Sequence, residues 1–185
     1  MLYTRKGDDG STKTFGCCDQ RISKSSAVAE ALGTLDEVNS FLGVCKVRAV
    51  DIDWSVPGSE EKLAEIVDDI QQNLFTVQAE VAGADKSIVN EKVTEIEQII
   101  DAIEKELPPI KTFFVSGGTE LAARFDFVRT LARRAERRVT AVQEEGSAKV
   151  SAGTQSYLNR LSSLLYALAR FSNHKAGIVE EKPHY

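Results

Sequence analysis

The chain has 185 residues, 42% of them hydrophobic and 28% charged, and a formal net charge of -5. That length suits one domain with a substantial core, and the acidic balance argues against wholesale nucleic-acid binding. No stretch is apolar and long enough to span a bilayer, and the opening Met1-Leu2-Tyr3-Thr4-Arg5-Lys6-Gly7 lacks the apolar run of a secretory signal.

Residues 1–25 are polar and glycine-punctuated, without a clear period, and read as an N-terminal arm. The segment Thr4-Arg5-Lys6-Gly7-Asp8-Asp9-Gly10-Ser11-Thr12-Lys13 mixes glycines, hydroxyls and cations. Glycines let backbone N–H groups approach phosphate oxygens, and Lys and Arg offset the charge. Asp8 and Asp9 suit Mg²⁺, directly or through water. No G-x-x-x-x-G-K-[ST] run occurs, so this is not a Walker loop; an ordinary glycine turn fits the same residues. Cys17, Cys18 and Cys45 form an odd set with neither a disulfide framework nor a zinc spacing. They point to a reduced, cytoplasmic chain.

From residue 26 to 185 the pattern is helical, and the chain as a whole shows no convincing strand and no internal repeat. Val28, Ala31, Leu35, Val38, Leu42 and Cys45 step by threes and fours along one face. Trp54, Pro57 and Gly58 mark a connection. A second helix is predicted from about Ser59 to Ala82, and a third from Ser87 to Leu107, stopped by Pro108-Pro109. A loop over Lys111–Gly118 carries Phe113 and Phe114, which are either core residues or the wall of an apolar pocket. Ser116-Gly117-Gly118-Thr119 then opens a helix, either as an anion-accepting terminus or as a plain cap. The fourth helix is predicted over Thr119 to about Glu144, and the fifth over Ser151 to about Lys175. Long helices joined by short loops make an all-α antiparallel five-helix bundle.

The fourth helix concentrates five arginines, Arg129, Arg133, Arg134, Arg137 and Arg138, into ten residues of an acidic chain. Its apolar stripe is Leu121, Phe125, Val128, Ala132, Ala135, Val139 and Val142. At about 100° per residue, Arg129, Arg133 and Glu136 follow one border of that stripe. Arg137 lies further round, Arg134 points away from the core and Arg138 borders the opposite edge. Arg129 and Arg133 are therefore expected to be partly desolvated, where a guanidinium seeks a carboxylate or phosphate. The bland alternative is a solvated helix with Glu136 balancing its neighbours. Gly33, Asp36, Ser40 and Gly43 share a small, acidic stripe on the first helix, suited to close approach of a helix, subunit or ligand. Asn159, Ser163, Tyr166 and Arg170 share one on the fifth. Each is otherwise a polar flank.

Taken together and in order, these segments resemble the PduO-type cob(I)alamin adenosyltransferases. The matching pieces are Tyr3 to Gly10, Arg21 to Lys24, Glu30 to Ser40, Ile70 to Phe75, Phe113 to Gly118, Arg129 to Arg138 and Tyr157 to Ser162. The resemblance implies a ferritin-like, cobalamin adenosyltransferase-like bundle and a homotrimer with sites between subunits. It implies transfer of the 5′-deoxyadenosyl group of ATP to the cobalt of cob(I)alamin, with release of triphosphate. The substrates would be ATP, with Mg²⁺, and a cobalamin or other corrinoid; a reductase and a B12-dependent enzyme would be partners, with no nucleic acid and no membrane.

By the same resemblance the arm of one subunit would grip ATP through Thr4, Arg5, Lys6, Gly7, Thr12, Lys13 and Lys24. The neighbour would add Arg133, Arg134, Glu136, Arg137 and Asn159. Asp36 would pair with Arg129 near the corrinoid, and Phe113 would lie against its lower face. No residue is assigned as a protein ligand to metal. Cys17-Cys18, Leu32, Ser116 and Ser163 depart from the family pattern, at the arm's turn, the first helix, the loop behind Phe113 and the nucleotide contacts. The competing function is a non-catalytic nucleotide or corrinoid sensor or chaperone on the same bundle.

Overall fold

The computed structural model describes residues 3–14 and 21–185. It contains α1 (Ala27–Ala49), α2 (Leu63–Val81), α3 (Asn90–Glu106), α4 (Glu120–Glu144) and α5 (Ala152–Lys175). The bundle is built from neighbouring pairs: α2 on α1, α1 on α4, α4 on α5 and α5 on α3. Its core is one continuous cluster in which Phe125, Tyr157, Phe171, Leu35, Leu42 and Leu74 are fully buried. The predicted stripes of α1 and α4 all fall inside, apart from Val28, which is partly buried.

Side-chain caps start three of the helices. Ser26, Thr119 and Ser151 accept the backbone N–H groups of Ala29 (3.3 Å), Ala122 (3.1 Å) and Thr154 (3.2 Å), each satisfying a donor with no helical partner. Thr119 is thus a cap, which decides that reading of the double-glycine segment. Gly118 just before it has φ +93°, and a β-carbon there would overlap the Asn173 side chain. That close approach lets Asn173 accept from Thr119 N–H at 2.9 Å and donate to the Gly117 carbonyl at 2.9 Å.

Two expectations need correction. The second helix starts at Leu63 rather than Ser59, because a turn at Pro57-Gly58 and an isolated bridge between Ser55 and Lys62 hold the chain extended until then. The Glu65 carboxylate then accepts the Lys62 N–H at 2.7 Å. Strands are also present: β1 (Ser11–Lys13) pairs antiparallel with β2 (Arg21–Ser23). Three residues are too few for a period, and the pairing is fastened by a side chain. Arg21 donates to the Ser11 hydroxyl (2.5 Å), the Ser11 carbonyl (2.8 Å) and the Lys6 carbonyl (2.5 Å). Cys17 and Cys18 lie outside the described residues. Cys45 is buried, and burial pushes its thiol up to about 12; it stays protonated and packs as a small apolar group.

Glu80, near the end of α2 and buried, locks one end of the bundle. It accepts the Ser151 N–H at 2.7 Å, the Ser151 hydroxyl at 3.3 Å and the Thr154 hydroxyl, while Thr154 in turn accepts the Ile88 N–H at 3.3 Å. A carboxylate at the start of α5 also complements the helix dipole. Glu80→Ala is expected to cost about 3 kcal/mol in urea unfolding, because it strands buried donors. A midpoint matching the wild type would show that solvent replaces the carboxylate.

Candidate active site

The α4 arginines divide between two seams. Facing α1, Arg134 pairs with Glu37 and Arg138 with Glu30 at 3.5 Å. The same seam continues through a tilted Phe41–Phe127 ring contact, 4.8 Å between centroids, and an Arg48–Glu120 pair at 3.0 Å. Facing α5, Arg129 pairs with Asp126 at 3.4 Å and lies over the Tyr166 ring at 5.7 Å, and the Glu136 carboxylate accepts from the Asn159 amide at 2.9 Å. The helical phase read from the sequence therefore holds for Arg129, Glu136 and Arg138, while Arg134, expected to point away from the core, reaches across to Glu37 of α1. Among the described residues Arg133 and Arg137 make no ion pair, and both are exposed. Exposure of Arg133 corrects the expectation of partial desolvation; Arg129 alone is sheltered as predicted. Two unpaired guanidiniums one helical turn apart are free to take an anion from outside the chain.

Beside them opens a cavity of about 550 Å³. The 110–116 loop forms one wall, with Phe113 and Phe114; Asp126, Arg129 and Arg133 of α4 and Ser162, Ser163, Tyr166 and Arg170 of α5 form the other. Phe113 is 79% exposed at the rim, so the loop aromatics wall a pocket rather than fill the core. Arg170 is buried and pairs with Glu180 of the C-terminal segment at 2.9 Å. Burial raises the Tyr166 hydroxyl above its ordinary value, against the opposing charge of Arg170. The cavity thus joins an apolar wall to two ion pairs and an open cation, fit for a partly apolar ligand beside an anion.

The described arm residues gather around Lys24 and Arg21. The Lys24 ammonium donates to the Gly7 carbonyl at 2.8 Å, and Lys24 N–H to the Gly10 carbonyl at 3.0 Å. Thr4 accepts the Lys6 N–H at 3.4 Å. Arg5 holds φ +58°, a conformation rare outside glycine, and its guanidinium lies 5.6 Å from the Tyr3 ring centroid. Hydrogen bonds from Ser11, its hydroxyl first, hold the Asp9 carboxyl below its usual range. Lys13 is exposed and Thr12 half-buried. The cavity beside Arg133 and the smaller one beside Asn159 are lined by no described arm residue.

Asp36 is exposed on α1 and does not meet Arg129; Asp126 takes that place within the chain. Asp126 escaped the sequence reading, although a carboxylate three residues before an arginine on a helix is a detectable signal. Glu180, ten residues beyond Arg170 and past the helix end, had no such signal.

A helical bundle with an open cationic flank beside an aromatic-walled cavity defines a class: a helical protein with room for an anion next to a partly apolar ligand. The chain belongs to the cobalamin adenosyltransferase family, whose profile matches residues 2–172. It is 38% identical to the corrinoid adenosyltransferase PduO of Salmonella typhimurium across 97% of this chain and 53% of that one. To the corrinoid adenosyltransferase of Bacillus subtilis it is 37% identical, covering 96% and 89%. The chain spans about half the length of the PduO relatives it matches from Salmonella and Citrobacter. Among solved structures, a variant PduO-type ATP:corrinoid adenosyltransferase from Lactobacillus reuteri, complexed with cobalamin and ATP, superposes with a TM-score of 0.86 at 27% identity, covering 100% and 97%. No helix among the described residues is long and apolar enough to cross a membrane.

Proposed function

We propose that this chain is an ATP:corrinoid adenosyltransferase: Co(I) of a reduced corrinoid attacks C5′ of ATP, the C5′–O5′ bond breaks and triphosphate leaves with the bond pair. The carrying observation is the cavity that places Phe113 and the unpaired Arg133 at one opening, in a member of this family. Co(I) supplies the nucleophile, so the protein's tasks are orientation and charge. Arg133 and Arg137 offset the charge growing on the triphosphate, with Glu136 and Asn159 fixing their flank. Phe113 covers one corrinoid face. Mg²⁺ would enter with the nucleotide.

The arm residues Thr4, Arg5, Lys6, Gly7, Thr12, Lys13 and Lys24 complete the nucleotide site from a second copy in a homotrimer. Two features support this reading. One is that the cavity beside Arg133 is lined by no described arm residue. The other is an apolar surface along α1 and α4, where Val44, Val47 and Phe127 are exposed and Gly33 and Ser40 leave room for a neighbour. In that assembly Asp36 reaches Arg129 across the boundary, and Arg134 lies at it through Glu37. A reducing compartment, the cytoplasm, suits Co(I). Incubation with ATP, Mg²⁺ and chemically reduced cobalamin tests the reaction: the Co(I) spectrum should decay as adenosylcobalamin and triphosphate form in equal amounts. Corrinoid and nucleotide binding without product would instead favour a sensor or chaperone.

A further inference from the structure

We infer that Arg170 is a positioning residue that sets the Phe113 loop through the C-terminal segment. The inference rests on the proposed adenosyl transfer and names how the corrinoid side of that site is held. Arg170 is 5% exposed and has three kinds of partner from different parts of the chain. Its Nε donates to both oxygens of Glu180, at 3.2 and 2.9 Å. Its second nitrogen donates to the Pro108 carbonyl at 3.0 Å, where the loop begins. Its guanidinium also lies 5.2 Å from the centroid of the Phe114 ring, next to Phe113.

The segment after α5 closes the circuit. Gly177, at φ +70°, ends the helix, and the chain turns back so that the Glu181 carbonyl accepts the Val115 N–H at 2.9 Å. The loop is thereby tied at Pro108, Phe114 and Val115, leaving Phe113 projecting between fixed points. A planar guanidinium serves carboxylate, carbonyl and ring at once, which a point-charge ammonium does not. A buried arginine also requires its carboxylate, so Glu180 binds the tail to the loop and does more than decorate the surface. Arg133 and Arg137 share none of these partners. The device therefore acts on the ligand that Phe113 faces and not on the triphosphate.

The test uses the full chain with Glu180→Gln, which keeps shape and removes the charge, and Arg170→Lys, which keeps charge and removes the fork. Exchange of the Val115 amide should accelerate on the order of tenfold in both, as a local opening. The KM for cob(I)alamin should rise on the order of tenfold, while the KM for ATP stays within about twofold. Unchanged Val115 exchange in folded Glu180→Gln overturns the inference. So does faster exchange with an unchanged corrinoid KM, or a joint rise of both KM values accompanied by a lower Tm. A wild-type chain that makes no adenosylcobalamin overturns the functional reading, and the corrinoid role of Arg170 with it. An active wild type with an unresponsive Glu180→Gln overturns this inference alone.

Discussion

Arg133→Ala should lower turnover by roughly 10²–10³-fold, the scale for deleting one donor aimed at charge that develops in a transition state. The argument is electrostatic. Arg129, Arg134 and Arg138 already have carboxylates within the chain, so their charge is largely answered before substrate arrives. Arg133 has none, and of the two that line the large cavity, Arg129 and Arg133, it is the unpaired one. In the proposed transfer its charge is available where the C5′–O5′ bond breaks. Arg133→Lys separates charge from geometry: a lysine keeps the cation and loses the two-pronged contact, so it should recover part of the rate. The fold should persist in both variants, because the side chain is exposed and bonded to nothing internal. Single-turnover rates at saturating ATP, with a thermal melt alongside, read the effect; an alanine variant with wild-type rates would remove Arg133 from the site.

The contrast among these arginines explains how far the sequence could be read. Helix phase divided α4 correctly, because one long helix with a clean apolar stripe leaves little freedom to its flanks. It placed Arg129 and Arg133 on one seam and Arg138 on the other, and the contacts with Tyr166 and Glu30 agree. Phase gives direction without depth, however, so it could not distinguish sheltered Arg129 from open Arg133. Shelter comes from Asp126 and Tyr166, one on the same helix and one on α5. The β1–β2 pairing was invisible because it depends on Arg21 reaching back to Lys6 and Ser11, not on a repeating pattern. The Arg170–Glu180 tie was hidden for a related reason. It needs the reversal at Gly177, and nothing in a row of residues says where the chain travels after such a turn. Within the chain Arg129 meets Asp126 in place of Asp36, a partner three residues away on the same helix that the resemblance did not point to.

Phe113→Ala should spare ATP affinity and impair use of the corrinoid. In the free protein the ring is 79% exposed, unusual for a phenylalanine held beside a cavity, so it has nearly its whole surface left to bury on a ligand. Burying such a side chain contributes about 1.5–3 kcal/mol. If that term favours a corrinoid with no lower axial donor, it shifts the four-coordinate population by roughly 10–100-fold. A Co(II) centre without that donor accepts an electron more easily, because no lone pair raises the orbital the electron enters. Alanine forfeits the burial and leaves space for a donor or water. Electron paramagnetic resonance of the protein with ATP and cob(II)alamin should accordingly lose most of its four-coordinate signal, while KM for ATP stays near the wild-type value. Reduction by a weak reductant should slow with it, and supplying preformed Co(I) should restore part of the rate. An intact four-coordinate signal in the alanine variant would assign the aromatic wall to Phe114 or to packing alone. Recovery with preformed Co(I) would instead separate help with reduction from help with transfer, a division that turnover by itself does not make.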